Sequence, residues 1–158
     1  MYKSCAVTGS FDPVTLGHVD LVERAKEIFD KVYVLMLINP DKDYAFSVDL
    51  RLEMLRATFG GDVKVEVHFF DGYTADFCKK HGIEVLIRGI RNERDFEYEK
   101  KLAKANYDYG RLNTYFLYAT DDLIDISSSG AKEAINSVKI EAYMPKEAIK
   151  VLKERANE

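Results

Sequence analysis

Residues 8–18, Thr8-Gly9-Ser10-Phe11-Asp12-Pro13-Val14-Thr15-Leu16-Gly17-His18, join a strand to a helix, and the architecture follows from this junction. Residues 2–7 are predicted to form a short buried strand. Over residues 17–30 the apolar side chains recur at helical spacing, at Val19, Val22, Ala25, Ile28 and Phe29. The first turn of a helix carries free N–H groups and the positive end of the helix dipole. The junction therefore predicts an anion-binding turn, although it matches neither GxGxxG nor a P-loop.

The rest of the chain repeats the alternation of strand and helix. Val32–Ile38 is a continuous apolar run, which is typical of a central parallel strand covered on both faces. Further strands are predicted over 63–70, 84–88 and 113–119, and helices over 48–59, 74–80, 93–108, 127–137 and 145–155. This order indicates an α/β fold with a doubly wound, five-stranded parallel sheet of Rossmann-like type. In such sheets ligands bind beyond the carboxyl ends of the strands.

Length and composition set limits on the class of protein. The 158 residues, 47% hydrophobic and 32% charged, favour a single globular domain over residues 1–158. The net charge of −4 argues against nucleic-acid binding by bulk charge. The longest apolar run is far shorter than the ~20 residues of a membrane helix, and the first residues do not resemble a signal peptide. Cys5 and Cys78 are too few for a disulfide framework, so we expect a cytoplasmic protein without membrane partners.

Four features carry possible chemistry, and each has a plainer alternative. His18 lies in a first helical turn and either binds a phosphate or caps the turn. Arg88 ends a buried strand and needs an anionic partner, whereas Arg91 could pair with Asp95 at i,i+4 spacing.

Lys42 lies between two aspartates, where a lysine is usually solvated charge. Ser127-Ser128-Ser129 opens a late helix, either as an N-cap through Ser127 or Ser128 or as a phosphate site.

These residues resemble known motifs. Thr15-x-Gly17-His18 resembles the (T/H)xGH signature of the nucleotidyltransferase superfamily. The runs 87–91, 95–99 and 126–129, together with Gly9 to Pro13, Lys42 and Asn106, are similar to those of the phosphopantetheine adenylyltransferase family. The resemblance extends over nearly the whole chain. It implies transfer of the adenylyl group of ATP to 4′-phosphopantetheine, with Mg²⁺ carried on ATP, in a cytoplasmic homohexamer.

The resemblance also implies site residues. The residues implied as catalytic are His18, Lys42, Arg88 and Arg91. Phosphopantetheine is expected to contact Ser10, Lys42, Thr74, Arg88 and Asn106. ATP is expected to contact Ser10, Phe11, His18, Gly89, Ile90, Arg91, Glu99, Leu123, Ile124, Asp125, Ile126, Ser127, Ser128 and Ser129. The attacking group is a phosphate oxygen that is already anionic, so cations and N–H donors are required rather than a general base.

Some positions depart from the family's pattern. Ser10 stands where threonine is common, Tyr73-Thr74 where aliphatic residues are common, and Leu123 where an aromatic residue is frequent. The first motif alone also fits a nicotinamide-mononucleotide adenylyltransferase or a glycerol-phosphate cytidylyltransferase, and the fold fits a non-catalytic nucleotide-binding module.

Two further groups of residues are given structural interpretations. Core positions are predicted for Tyr107, Tyr109, Tyr115, Tyr118, Phe69, Phe70 and Phe116. His68 and His81 lack the spacing of metal ligands, and we expect no metal site built by the protein.

Overall fold

Five parallel strands form one sheet in the computed structural model, which describes all 158 residues. The strands are β1 (Ser4–Gly9), β2 (Lys31–Leu37), β3 (Val65–Phe70), β4 (Val85–Ile90) and β5 (Asn113–Tyr118). Their order is β3-β2-β1-β4-β5, and Val7 of β1 lies opposite Val34 on one side and Ile87 on the other. The predicted doubly wound parallel sheet is confirmed, with its switch point between β1 and β4.

Six α-helices connect and follow the strands. They are α1 (Leu16–Ile28), α2 (Val48–Phe59), α3 (Thr74–His81), α4 (Glu93–Gly110), α5 (Ser128–Ala134) and α6 (Lys146–Ala156). The helix predicted over 127–137 is shorter than expected. It is followed by a separate 3₁₀ helix, Val138–Ala142, because the Ser137 hydroxyl accepts the Lys139 N–H at 3.0 Å and starts a new helical turn.

Strand ends differ from the sequence prediction by about two residues. β1 continues to Gly9, which pairs with Met36, and β4 continues to Ile90, which pairs with Tyr118. β3 begins at Val65 rather than at residue 63, and Val63 is 95% exposed. Arg88 and Gly89 therefore lie inside a strand, where ladder hydrogen bonds hold their backbone.

Side chains alternate between two unequal layers of core. Cys5 and Val7 point into a cluster of 23 buried residues that includes parts of α1, α2 and α6, while Ala6 points into a smaller cluster of 8 beside α3. Both cysteines are buried and form no disulfide, and burial raises the pKa of each thiol to about 12. No helix is both long enough and apolar enough to cross a membrane.

The predicted core positions were wrong for the four tyrosines and for Phe69, which is 38% exposed, whereas Phe70 packs against the smaller cluster. Tyr109 is 64% exposed and Tyr118 54% exposed, and Tyr107 and Tyr115 are exposed as well. The reason is their position, since β5 is an edge strand and α4 buries only Glu99 of its 18 residues.

Close packing of α3 against α4 at Gly110 generates a stability prediction. A Cβ at Gly110 would lie 2.5 Å from the Cβ of Ala75, whereas a Cβ at Gly61 would meet nothing within 4 Å. Gly110→Ala should therefore lower the free energy of unfolding by about 1–3 kcal/mol through overpacking. The measurement is urea unfolding of both variants, with Gly61→Ala as the matched control. Equal stability of Gly110→Ala and Gly61→Ala would contradict this packing.

Candidate functional site

A cavity of about 1340 Å³ opens at the carboxyl edge of the sheet, around the ends of β1 and β4. It brings together most of the residues singled out from sequence. Those that line it are Ser10, Phe11, His18, Lys42, Thr74, Arg88, Gly89, Ile90, Arg91, Glu99, Asn106, Leu123, Ile126, Ser127, Ser128 and Ser129. The structure does not bring Ile124 and Asp125 to the cavity, although their neighbours on both sides line it. His18 and Lys42, which are 24 positions apart in sequence, share this one cavity.

The N-terminus of α1 leaves one backbone donor facing the cavity. The Leu16 N–H donates to the Tyr143 carbonyl at 2.8 Å, and the His18 N–H donates to the Thr15 hydroxyl at 3.4 Å. Gly17 lies between them and its N–H has no partner within the chain. Gly17 lines the cavity, and a Cβ placed on it would meet only the Thr15 hydroxyl, at 3.5 Å. An anion can reach it there.

His18 both caps its helix and faces the cavity. Its Nδ1 accepts the Thr15 N–H at 3.0 Å and completes a capping box with Thr15. The proton of the neutral ring therefore lies on Nε2, which is a donor. The Phe11 ring packs edge-on against the imidazole, with centroids 4.8 Å apart. Burial, then the charges of Arg88 and Arg91, lower the pKa of His18 to about 4, so the ring is neutral at pH 7.

The anionic partner of Arg88 is Glu99. Its guanidinium donates to both carboxylate oxygens of Glu99, at 2.8 and 2.7 Å, and its Nη1 donates to the carbonyl and hydroxyl of Thr8. Glu99 is buried, whereas the Arg88 side chain is 23% exposed in the cavity wall. These contacts leave one of the five guanidinium N–H groups for a ligand. Arg88 is thus a rigid donor whose charge Glu99 largely compensates.

Arg91 keeps more of its donors free. Its Nε donates to Asp95 at 3.0 Å, which confirms the i,i+4 ion pair, and its Nη1 donates to the Ile126 carbonyl at 3.3 Å. Three guanidinium N–H groups remain without a partner in the chain. The hydrogen bond from Arg91 to the Ile126 carbonyl joins the end of β4 to the segment before α5. Arg91 therefore presents a fork of donors at a fixed place in the cavity wall.

Lys42 differs from every other cation that lines the cavity. Arg88, Arg91 and Lys132 each lie within 4 Å of a carboxylate, and Lys132 approaches Asp12 at 3.6 Å. Lys42 forms no ion pair, and its ammonium lies 5.7 Å from the centre of the Tyr44 ring. Since no carboxylate lies within 4 Å of its ammonium, it attracts an anionic ligand more strongly than its paired neighbours do.

The serine run uses its hydroxyls in different ways. Ser127 is the N-cap of α5, because its Oγ accepts the Gly130 N–H at 3.0 Å. Ser128 donates to the Pro13 carbonyl at 2.9 Å and so joins α5 to the turn that follows β1. Capping is confirmed for Ser127, and both residues line the cavity.

Sequence reasoning missed several residues of the site. Lys132 lies one helical turn after Ser128 on α5 and lines the cavity. Its i+4 spacing from Ser128 could have predicted this position, because residues four apart share one face of a helix. Tyr109 was assigned to the core, yet it lines the cavity. The centres of its ring and of the Tyr73 ring are 5.4 Å apart, and its hydroxyl donates to Asp76 at 3.3 Å.

No group of three or more His, Cys, Asp or Glu side chains is placed to hold a metal ion.

Known relatives of this chain include several proteins that share one name. The sequence model of the family described as cytidylyltransferase-like matches residues 6–134. The phosphopantetheine adenylyltransferase of Thermotoga neapolitana is 39% identical over 152 residues, which cover 95% of this chain and 94% of that relative. The proteins of the same name from Clostridium perfringens strain SM101 and Petrotoga mobilis are 40% and 42% identical. Their alignments cover 93% and 83% of this chain, and 91% and 82% of the relatives.

The environment of His18 predicts its titration. Its NMR ring signals should stay constant from pH 8 to pH 5 and move only near pH 4, because the folded chain resists protonation of the imidazole. An unfolded chain protonates a histidine near pH 6.5, so this group's contribution to folding stability is lost as the pH falls from about 6.5 to about 4. A midpoint near 6.5 in the folded protein would contradict the assignment.

Proposed function

Because the chain belongs to the cytidylyltransferase-like family and, within it, to the phosphopantetheine adenylyltransferases, we infer that it transfers the adenylyl group of ATP to 4′-phosphopantetheine. The products are dephospho-coenzyme A and pyrophosphate, so the reaction is the penultimate step of coenzyme A synthesis. The geometric support is a single observation. His18 and Lys42, with Arg88 and Arg91, line one cavity at the carboxyl edge of the sheet.

The reaction is a substitution at phosphorus that needs no general base. An oxygen of the phosphopantetheine phosphate forms a bond to the α-phosphorus of ATP, and the bond from that phosphorus to the β-phosphate oxygen breaks. Pyrophosphate carries away the electron pair. The attacking oxygen is already anionic at pH 7, so the difficulty is to bring two polyanions together and to stabilise the transferring group.

Lys42 is proposed to lie between the two substrates. A cation without a carboxylate partner lowers the repulsion between the attacking phosphate and the α-phosphate, which is the main electrostatic obstacle. Its place in a polar loop after β2 allows the ammonium to reach a ligand held at the end of β1.

His18 is proposed to donate from Nε2–H to a non-bridging oxygen of the α-phosphate as negative charge develops there. The capping contact to Thr15 holds the ring in one tautomer, so no reorganisation is needed at the moment of transfer. The low pKa suits this role, because the donor is unchanged over the physiological pH range. The free N–H of Gly17 supports the same phosphates.

The remaining residues are proposed to hold the ends of the substrates. Arg91, with three free N–H groups, is suited to the β- and γ-phosphates beside Ser127–Ser129. Arg88, fixed by Glu99, is suited to one contact with the phosphate of phosphopantetheine. Other contacts proposed for phosphopantetheine use Ser10, Thr74 and Asn106, and those for ATP use Phe11, Gly89, Ile90, Leu123 and Ile126. The proposal for Ile124 and Asp125 has no support from the cavity.

Magnesium is proposed to arrive on the phosphates of ATP, where it neutralises charge. The chain's own residues do not fit a resident metal site. Glu99, Asp95 and Asp20 are each engaged by an arginine, and Asp12 accepts two backbone N–H groups. Asp71 also lines the cavity, but no three His, Cys, Asp or Glu side chains are grouped to hold an ion. Mg²⁺ bound on substrate phosphates needs few protein ligands. No step of the transfer is assigned to the ion.

Assembly and compartment complete the proposal. A homohexamer is proposed, and the exposed aromatic side chains of α4 and β5, among them Tyr98, Tyr115 and Tyr118, support burial of these elements between subunits. A cytoplasmic location is proposed, and the two buried, unpaired thiols are consistent with a reducing compartment.

Substrate choice provides the direct test. Pyrophosphate release should require ATP together with phosphopantetheine. It should be at least ~10²-fold slower with nicotinamide mononucleotide or glycerol phosphate, because hydrogen-bond donors of the site that pair with phosphopantetheine would then be left unpaired. Comparable rates with either of these would assign the chain to a different nucleotidyltransferase. Binding of ATP without any turnover would instead identify a non-catalytic module.

Removal of the His18 donor should affect turnover more than binding. His18→Ala is expected to lower kcat by ~10²–10³-fold, the usual loss for one preorganised donor, with a smaller change in the KM for ATP. His68→Ala is the matched control, since His68 does not line the cavity. Single-turnover rates of His18→Ala equal to those of wild type would exclude the role.

A further inference from the structure

Arg51 is buried and charged, yet no carboxylate pairs with it. It lies on α2, is 1% exposed, and is among the largest fully buried side chains of the protein. Its Nε donates to the Phe46 carbonyl at 3.1 Å, and its Nη1 donates to the Ser10 carbonyl at 2.9 Å. Burial of a guanidinium without an acidic partner is costly, and an apolar side chain would serve packing better. The location of its hydrogen-bond acceptors therefore indicates what the charge does.

The two carbonyls belong to different loops of the site. Ser10 lies in the loop after β1, and Phe46 lies in the connection between β2 and α2. Residues 39–46 of that connection are hereafter called the Lys42 loop. A single guanidinium thus joins the loop that carries Ser10 to the loop that carries Lys42. The fork geometry of arginine lets both donations occur at fixed directions, which a lysine cannot reproduce.

Tyr44 extends this connection to the other end of the Lys42 loop. Its ring lies 4.0 Å from the Arg51 guanidinium, in a stacking contact. Its hydroxyl accepts the Asn39 N–H at 2.7 Å. The first residue of the loop is therefore held to Arg51 through Tyr44, and the last through the Phe46 carbonyl.

Asp12 makes the complementary contacts from the β1 side. Its buried carboxylate accepts the Ala45 N–H at 2.9 Å and the Phe46 N–H at 3.0 Å. The two loops are bonded in both directions, with Arg51 donating to carbonyls and Asp12 accepting from amides. Lys42 has no ion pair of its own, so the position of its ammonium depends on how firmly this loop is held.

We propose that Arg51 is a positioning residue for adenylyl transfer, fixing the Lys42 loop against the loop after β1 so that Lys42 faces His18 across the cavity. The proposal rests on the role proposed above for Lys42. Arg51 contacts neither substrate and acts through the geometry of Lys42. A displacement of about 1 Å at a reacting group can cost ~10²-fold in rate, which makes such positioning measurable.

The test begins with three variants and two kinetic constants. Arg51→Lys keeps the charge but loses the fork, Arg51→Met removes the donors, and Tyr44→Phe removes only the hydroxyl contact to Asn39. Arg51→Lys is expected to lower kcat ~10-fold or more with the KM for ATP within about 3-fold, and Tyr44→Phe to lower kcat a few-fold. Arg56→Lys, on the exposed face of the same helix, is the matched control.

A double-mutant cycle separates positioning from general destabilisation. In a Lys42→Met background, Arg51→Lys is expected to cause little further loss of kcat, because its effect passes through the lysine. The proposal would be overturned if the kcat losses of Lys42→Met and Arg51→Lys multiplied in the double variant. It would also be overturned by wild-type kcat in folded Arg51→Lys and Tyr44→Phe. If Arg51→Met does not fold, the other two variants carry the test, with thermal unfolding measured in parallel.

The cycle also distinguishes the two proposals. Lys42→Met with wild-type kcat would remove the proposed role of Lys42 and the positioning proposal with it. A large loss in Lys42→Met, together with unchanged kcat in Arg51→Lys, would leave the proposed function intact and overturn only the role of Arg51.

Discussion

Parallel pairing of β1 with β2 on one side and β4 on the other is the constraint on which the site depends. Parallel strands end at the same edge, so the loops after all three strands meet there. The loop after β1 supplies Ser10 and leads to His18, the loop after β2 supplies Lys42, and the end of β4 supplies Arg88 and Arg91. Residues from three parts of the chain thus converge without any long insertion.

The charges of the cavity are arranged to hold cations in place before a ligand arrives. Glu99 fixes Arg88, Asp95 fixes Arg91, and Asp12 lies near Lys132. These pairs limit the mutual repulsion of the cations, and each arginine keeps donors that a phosphate can use. Lys42 is the exception, and the rigid connection through Arg51 and Tyr44 replaces the ion pair that it lacks. Ion pairs thus fix the positions of the arginines and Lys132, whereas loop contacts fix the position of Lys42.

Several residues serve stability and the site at the same time. His18 caps α1 through Nδ1 and presents Nε2–H to the cavity, and Ser128 joins α5 to the turn after β1 while it lines the same space. Such double use explains why the plainer interpretations of His18, Arg91 and Ser127 were confirmed without removing these residues from the site. A hydrogen bond at one atom leaves another atom of the same side chain available.

By itself, the sequence determined the parallel α/β architecture, and most of the site residues expected from it do line the cavity. Apolar periodicity and the Thr15–His18 and Arg88–Glu99 motifs are local patterns, and local patterns are readable along the chain. Only the tertiary structure decided that Glu99 is the partner of Arg88, that Tyr109 faces the cavity rather than the core, and that Arg51 joins the two loops. These outcomes depend on contacts between residues up to 41 positions apart, and no spacing rule encodes which distant groups will meet when the sheet is assembled.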